Sequence, residues 1–203
     1  MDYTTLPSDE IIHKTIEALK ANGIDAQVME TGAQAKEKVL SLIPQNSEVM
    51  DMTSVTLDAI GISEEIKESG NYKAVKKIMM AMDRNTQKRQ MQRMGAAPDF
   101  AIGSVHAVTQ NGEVVIASNT GSQLSAFAYA ADKVIWVVGT QKIVSDLDQA
   151  MKRIYDYVLP LESERVKKAY GMDKSNVSKL LIINKEIAPN RITLIFVKEK
   201  LGF

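Results

Sequence analysis

The sequence predicts an α/β fold: a mixed, mostly parallel sheet flanked by helices. Three observations predict it. Short apolar segments alternate with amphipathic helical ones through the first part of the chain, the pattern of crossover units. Val134-Ile135-Trp136-Val137-Val138 is an unbroken apolar run, as expected of a central strand covered on both faces. Gln110-Asn111-Gly112-Glu113 reads as a two-residue type I′ turn between apolar segments, which adds an antiparallel pair.

The elements follow in order. Ser8 caps a helix over residues 9–22, with Ile12, Ile16 and Leu19 on one side and Gly23 closing it. Residues 24–30 form a strand. Thr31 caps a second helix, which carries Val39, Leu40 and Ile43 and ends before Pro44. Residues 48–52 are a short strand, and Thr53-Ser54-Val55-Thr56 leads from it into a short helix ending near Gly61. Residues 63–95 are charged and mostly helical, with 72–82 fitting no template well. The hairpin takes residues 100–119, and a helix over 122–131 follows. Gly139 ends the central strand. Ser145 then caps a helix to about Tyr157, Pro160 breaks it, and a further helix runs to Gly171. Strands at 180–184 and 191–197 close the chain around Pro189-Asn190. No repeat, low-complexity tract or Ser/Gly linker divides the sequence, so residues 1–203 are expected to form one domain.

Composition narrows the function classes. Acidic and basic residues balance at 25 each, which leaves no global field to draw in nucleic acid or an anionic membrane. Lys73, Lys76, Lys77, Arg84, Lys88, Arg89 and Arg93 do concentrate against Asp83 alone, but only Tyr72 supplies a nearby aromatic ring. A nucleic-acid surface needs more stacking groups than that. A solvated helix face is the plainer reading, and the methionines among these cations (Met79, Met80, Met82, Met91, Met94) make a protein-docking face the alternative. The chain has no cysteine, so it carries no disulfide, thiolate nucleophile or iron–sulfur ligand of its own. No apolar run reaches the roughly 18 residues of a membrane span. A cytoplasmic protein is expected.

Candidate site residues come from three segments expected at the carboxyl edge of the sheet, where parallel α/β folds gather ligands. They are Thr53, Ser54 and Thr56; Asn119, Thr120, Gly121, Ser122 and Gln123; and Lys142 after the Trp136 strand. Hydroxyls and backbone N–H groups offer neutral donors, and Lys142 a point charge suited to phosphate or carboxylate. One shared pocket for a small anionic ligand is the expectation. Helix capping by Thr53 and Ser54, tight packing at Gly121 and a solvated Lys142 are the structural alternatives. His106 and Asp51 are the candidates for acid–base work. A histidine in a strand is more often a hydrogen-bonded structural residue. No pair at metal-ligand spacing exists, so no metal is expected, and no cofactor is identified.

Four segments together carry a resemblance: TSVTLDAIG (53–61), AVTQNGEVV (107–115), NTGSQ (119–123) and KVIWVVGTQKIVSDLDQAMKRI (133–154), with the closing LGF (201–203). The sequence resembles the lactate-utilisation (LUD) domain family, in particular short members related to lactate-utilisation protein C. That resemblance implies a sugar-phosphate-isomerase or CoA-transferase-like fold, an accessory or ligand-binding role in bacterial lactate oxidation, and partner proteins carrying iron–sulfur centres. The alternative it implies is an enzyme of isomerase or transferase type acting on a small anion. Homo-oligomerisation stays open. Several positions depart from the family pattern. Met50-Asp51-Met52 stands where relatives have a glycine-rich entry, an acidic residue and a terminal arginine are missing around residues 119–123, and His106 stands where relatives often have asparagine. The cysteine cluster that many relatives carry before the closing strands is missing from residues 171–185.

Overall fold

Among the described residues, ten strands divide between two sheets. Strands β1 (Asp25–Met29), β2 (Glu48–Asp51), β3 (Lys73–Ala74), β4 (Phe100–Gly103), β7 (Lys133–Gly139) and β10 (Ile192–Val197) form the larger one. Their order is β1-β10-β7-β4-β2-β3, with every neighbouring pair parallel. Strands β5 (Ala107–Thr109), β6 (Val114–Ser118), β8 (Ile143–Val144) and β9 (Lys179–Ile183) form the smaller sheet, in the order β8-β5-β6-β9. There β5 and β8 are parallel, while β6 is antiparallel to both β5 and β9. The computed structural model describes residues 2–203.

The apolar run of β7 explains the layering. Side chains alternate across a strand, so a strand between two cores must be apolar at every position. Val134, Trp136 and Val138 enter one core with Ile12, Ile16 and Leu19 of α1 (Asp9–Ala21) and with Val108, Val114 and Ile116 of the small sheet. Ile135 and Val137 enter the other with Val39 of α2 (Gly32–Ser41), Leu57 of α3 (Val55–Ala59) and Ile66 of α4 (Ile62–Glu68). The outer face of the small sheet, through Ala107 and Val115, packs on Ala150 of α7 (Leu147–Arg153). On the first face the Phe127 ring meets Trp136 edge-on, with centroids 5.6 Å apart. Gly103 pairs with Trp136 in register, and a Cβ there would stand 2.6 Å from Phe127 Cζ. The ring occupies the space a side chain would need.

The predicted α/β class and mostly parallel sheet are present, and the antiparallel strands are segregated into the second sheet. Several local expectations change for physical reasons. The hairpin is β5–β6 alone, because residues 100–103 belong to the parallel sheet. Its turn is a three-residue loop: Gly112 N–H donates to Thr109 O at 2.9 Å, Thr109 N–H donates to Glu113 O at 2.9 Å, and only Gly112 takes a positive φ, at +87°. That is a type I turn with a glycine bulge, in place of type I′. Asp146, one residue past Ser145, caps α7 by accepting from Gln149 N–H at 2.9 Å. Pro160 does not break the helix. A π turn over Ile154–Val158 joins α7 to α8 (Leu159–Tyr170), with proline in the first turn of α8. A missing N–H is tolerated where the ladder has already loosened. The helix expected over 122–131 shrinks to a short turn of π geometry at Ala126–Ala130. Residues 63–95 supply α4, β3, α5 (Val75–Met80) and α6 (Lys88–Ala96). Among the described residues no helix is long and apolar enough to cross a membrane.

Gly103→Ala is expected to lower unfolding stability by about 1–3 kcal/mol through overpacking against Phe127. Adding Phe127→Leu should recover part of that loss, since the two residues share one space. Denaturant unfolding of the single and double variants checks it, and strictly additive losses would contradict it.

Candidate functional site

Neighbouring strands β2 and β4 send the chain to opposite faces of the parallel sheet. After β2 the chain enters α3, whose Leu57 belongs to one core; after β4, Val105 belongs to the other. Divergent exits open a crevice at the carboxyl ends of the two strands, the usual ligand position in open α/β sheets. A cavity of about 390 Å3 lies there. Thr53, Ser54 and Thr56 line it after β2, Ser104 and His106 after β4, and Lys142 after β7. The end of β6, the closing Phe203 and one side of α8 complete the wall.

Lys142 supplies the amine of the cavity wall. Its side chain is buried, with the residue 2 % exposed. Nζ lies 3.1 Å from Val105 O, 3.1 Å from Ser104 Oγ and 3.3 Å from Thr56 Oγ1. All three partners are neutral. The Thr56 hydroxyl donates to Leu201 O at 3.2 Å, so toward Lys142 it accepts. Burial away from water, reinforced by the Arg153 guanidinium, holds the amine well below the ordinary lysine range.

His106 is the neutral neighbour. Ala117 N–H donates to its Nδ1 at 3.1 Å, so this network assigns the ring hydrogen to Nε2. Burial first, then Lys142 and Arg153, push its pKa down to about 3. A ring with Nδ1 occupied and Nε2 protonated donates a hydrogen bond; it is not poised to take a proton. Behind it, Arg153 donates to His106 O and lies over the rings of Tyr157 and Tyr3, 5.3 and 5.9 Å from their centroids. Its Nε and Nη2 are buried with no partner. Among the described residues no carboxylate pairs with Lys142 or Arg153.

Of the residues singled out from the sequence, Thr53, Ser54, Thr56, His106, Asn119, Thr120, Ser122, Gln123 and Lys142 share this one cavity. Gly121 and Asp51 do not line it. Gly121 turns the chain with φ +84° and packs against Lys179, which a Cβ would meet at 2.6 Å. Asp51 is buried beside a second cavity of about 340 Å3, with Lys76 Nζ 3.4 Å from its carboxylate. Burial raises its pKa, against the opposing pull of Lys76. The loop at 118–123 also spends some of its own donors. Gly121 N–H donates to Ser118 Oγ at 2.9 Å, and Ser122 N–H to Thr120 Oγ1 at 3.3 Å. The groups this loop leaves free toward the cavity are therefore side chains more than backbone amides. Lys142, expected as either ligand or surface lysine, is interior.

Sequence reasoning missed Ser104, Arg153, Glu162 and Arg165. Arg165 faces the cavity from α8, in a two-bond pair with Glu162 at 2.6 and 2.8 Å. The i,i+3 spacing of that pair was visible, but nothing local placed α8 over the strand ends. Lys73, Lys77, Lys88, Arg89 and Arg93 are solvent-exposed, with Lys77 paired to Glu68 at 3.1 Å, while Met91 is buried and Met80 is 70 % exposed. Among the described residues no group of three or more His, Cys, Asp or Glu side chains could hold a metal ion.

Fold and cavity together define an α/β protein with a polar cleft at the strand ends. The sequence matches the LUD domain over residues 12–197, and the chain belongs to that family. No curated protein matches it significantly. A DUF162 family protein from Deinococcus radiodurans, known from a crystal structure, shares the fold at a TM-score of 0.59 and 12 % identity, over 95 % of this chain and 99 % of that one.

His106 gives the fold a pH dependence. Its folded pKa, about 3, lies below the unfolded 6.5, so the unfolded chain takes up a proton first. Stability from the neutral ring is full above about pH 6.5 and is lost progressively as pH falls toward 3. Replacing His106 with Gln should flatten the acid limb of the melting-temperature profile by up to about 1.4 kcal/mol per pH unit. Parallel wild-type and variant profiles below pH 6.5 would contradict this.

Proposed function

We propose that this chain binds a small anionic ligand, bearing a carboxylate or phosphate, in the cavity at the ends of β2, β4 and β7. The observation that carries the reading is a buried Lys142 amine with only neutral partners, backed by an Arg153 guanidinium that also has no counter-ion. Burying a cation costs several kcal/mol unless a negative charge accompanies it. Here the ligand supplies that charge. The hydroxyls of Ser54, Thr56 and Ser104 and the side chain of Asn119 provide neutral donors around it.

Membership of the LUD domain family supports a place in lactate utilisation, as a ligand-binding or accessory component in the cytoplasm. Without cysteine this chain has no thiolate to ligate an iron–sulfur centre, so in such a system electron transfer falls to partner proteins. The exposed lysines and arginines of α5 and α6, with Met80 among them, support docking to them.

The test is calorimetric titration and thermal shift with inorganic phosphate, lactate, pyruvate, sugar phosphates and coenzyme A, on wild type and Lys142→Met. One of these anions, at about 100 times its Kd, should stabilise the fold by about 2.7 kcal/mol, a rise of roughly 5–10 °C for a domain this size. The shift should vanish in Lys142→Met. Binding should also take up a proton, because the anion favours the charged amine, so affinity should weaken as pH rises. Equal binding by the variant, or no pH dependence, would contradict the proposal.

A further inference from the structure

Lys142 differs from Arg191, Lys198 and Lys76 in what surrounds it. Arg191 is fully served: it pairs with Glu186 at 2.7 Å and donates to the carbonyls of Ala126, Phe127 and Ala131. Lys198 meets both Asp9 and Glu30, at 2.8 and 2.9 Å. Lys76 has Asp51. Lys142 has two hydroxyls and a peptide carbonyl, and it faces a cavity.

That partner set suits a neutral amine as well as an ammonium. A neutral –NH2 has two hydrogens and one lone pair. The hydrogens go to Val105 O and to Thr56 Oγ1, which is confined to accepting because its own hydrogen is given to Leu201 O. The third partner, Ser104 Oγ, is free to donate to the lone pair or to release it to a ligand. His106, with its hydrogen on Nε2, lines the same cavity as a donor suited to a carbonyl oxygen.

We propose that Lys142 is a nucleophilic lysine that forms a reversible imine with a small carbonyl-bearing acid, such as a 2-oxo acid, bound in this cavity. The inference rests on the anion-binding reading and gives its ligand a second functional group. Burial, together with the fixed charge of Arg153, makes the amine give up its proton more readily than surface lysines do, which makes its lone pair more available. The Nζ lone pair attacks the carbonyl carbon, and the π pair moves to oxygen, which takes a proton to give a carbinolamine. The C–O bond then breaks, and the oxygen leaves as water with the second amine hydrogen, giving C=N–Lys142. No oxidant or reductant is needed. Protonation of the imine from solvent yields an iminium, and the ligand's own carboxylate offsets that charge in the same cavity.

The experiment uses the full chain at pH 7 with glyoxylate as the carbonyl acid and cyanoborohydride to reduce any imine, followed by intact mass and peptide mapping. One carboxymethyl group per chain is expected, located on Lys142 and formed more than about tenfold faster than on any exposed lysine. Inorganic phosphate should slow it. Lys142→Arg should lose the adduct, and the wild-type peptide map decides the question even if that variant folds poorly. A melting shift with glyoxylate but an unmodified Lys142 overturns the imine and leaves anion binding standing. Modification spread evenly over exposed lysines also overturns it. Neither shift nor adduct overturns both readings.

Discussion

Burial of positive charge without a compensating carboxylate is the constraint on which this structure turns. Lys142 and Arg153 both lie in the interior near His106, and Arg153 adds to the cost of charging Lys142. An interior guanidinium keeps its charge; Arg153 is pushed down only to about 10. Lysine has another way out, because a desolvated amine can give up its proton. The pair therefore settles with one fixed cation and one amine that is easily discharged. An arrangement that merely stabilised the fold would resemble Arg191 with Glu186, where the charge is met in the same chain.

The topology is what produces this environment. A parallel strand ends in carbonyls and loops, and neighbouring β2 and β4 end within one residue of each other in register, while β7 beside β4 runs on to Gly139 before turning toward Lys142. Since β2 exits to one face and β4 to the other, no helix fills the gap between them. The small sheet then closes over one side, bringing Ala117 N–H onto His106 and so fixing which nitrogen of the ring carries hydrogen. The π turn between α7 and α8 serves the same region. It lets a proline-containing helix continue past Arg153 until Arg165 and Tyr170 reach the cavity wall.

Much of this was legible in the sequence, for definable reasons. The run Val134–Val138 announced a two-sided core, and Ser8 and Thr31 announced helix starts, because those signals are local. Thr53, Ser54, Thr56, Asn119 and Lys142 could be assigned to one edge because strand-end loops in parallel sheets converge. What stayed hidden depended on distant chain. Residues 100–119 read as one hairpin because nothing local says that 100–103 pair with β7, 33 residues on, while 107–109 pair with β6. Asp51 stands next to the Thr53 loop in sequence, yet strand alternation sends it to the opposite side, beside Lys76. Arg153 reads as an ordinary last-turn cation of a helix, since its burial comes from Tyr3 and Tyr157. Pro160 reads as a breaker because a π turn has no sequence signature.

The central claim is that Lys142 releases its proton well below the ordinary lysine range in the unliganded protein, because burial and Arg153 disfavour its charged form. Lysine Cε and Nζ resonances followed by NMR against pH, with Lys142→Arg to assign the signal, measure this directly. One lysine should titrate well below the ordinary 10.5, and it should move upward when an anion occupies the cavity. A Lys142 signal that titrates with the surface lysines would contradict the account, because the cavity would then hold an ordinary ammonium.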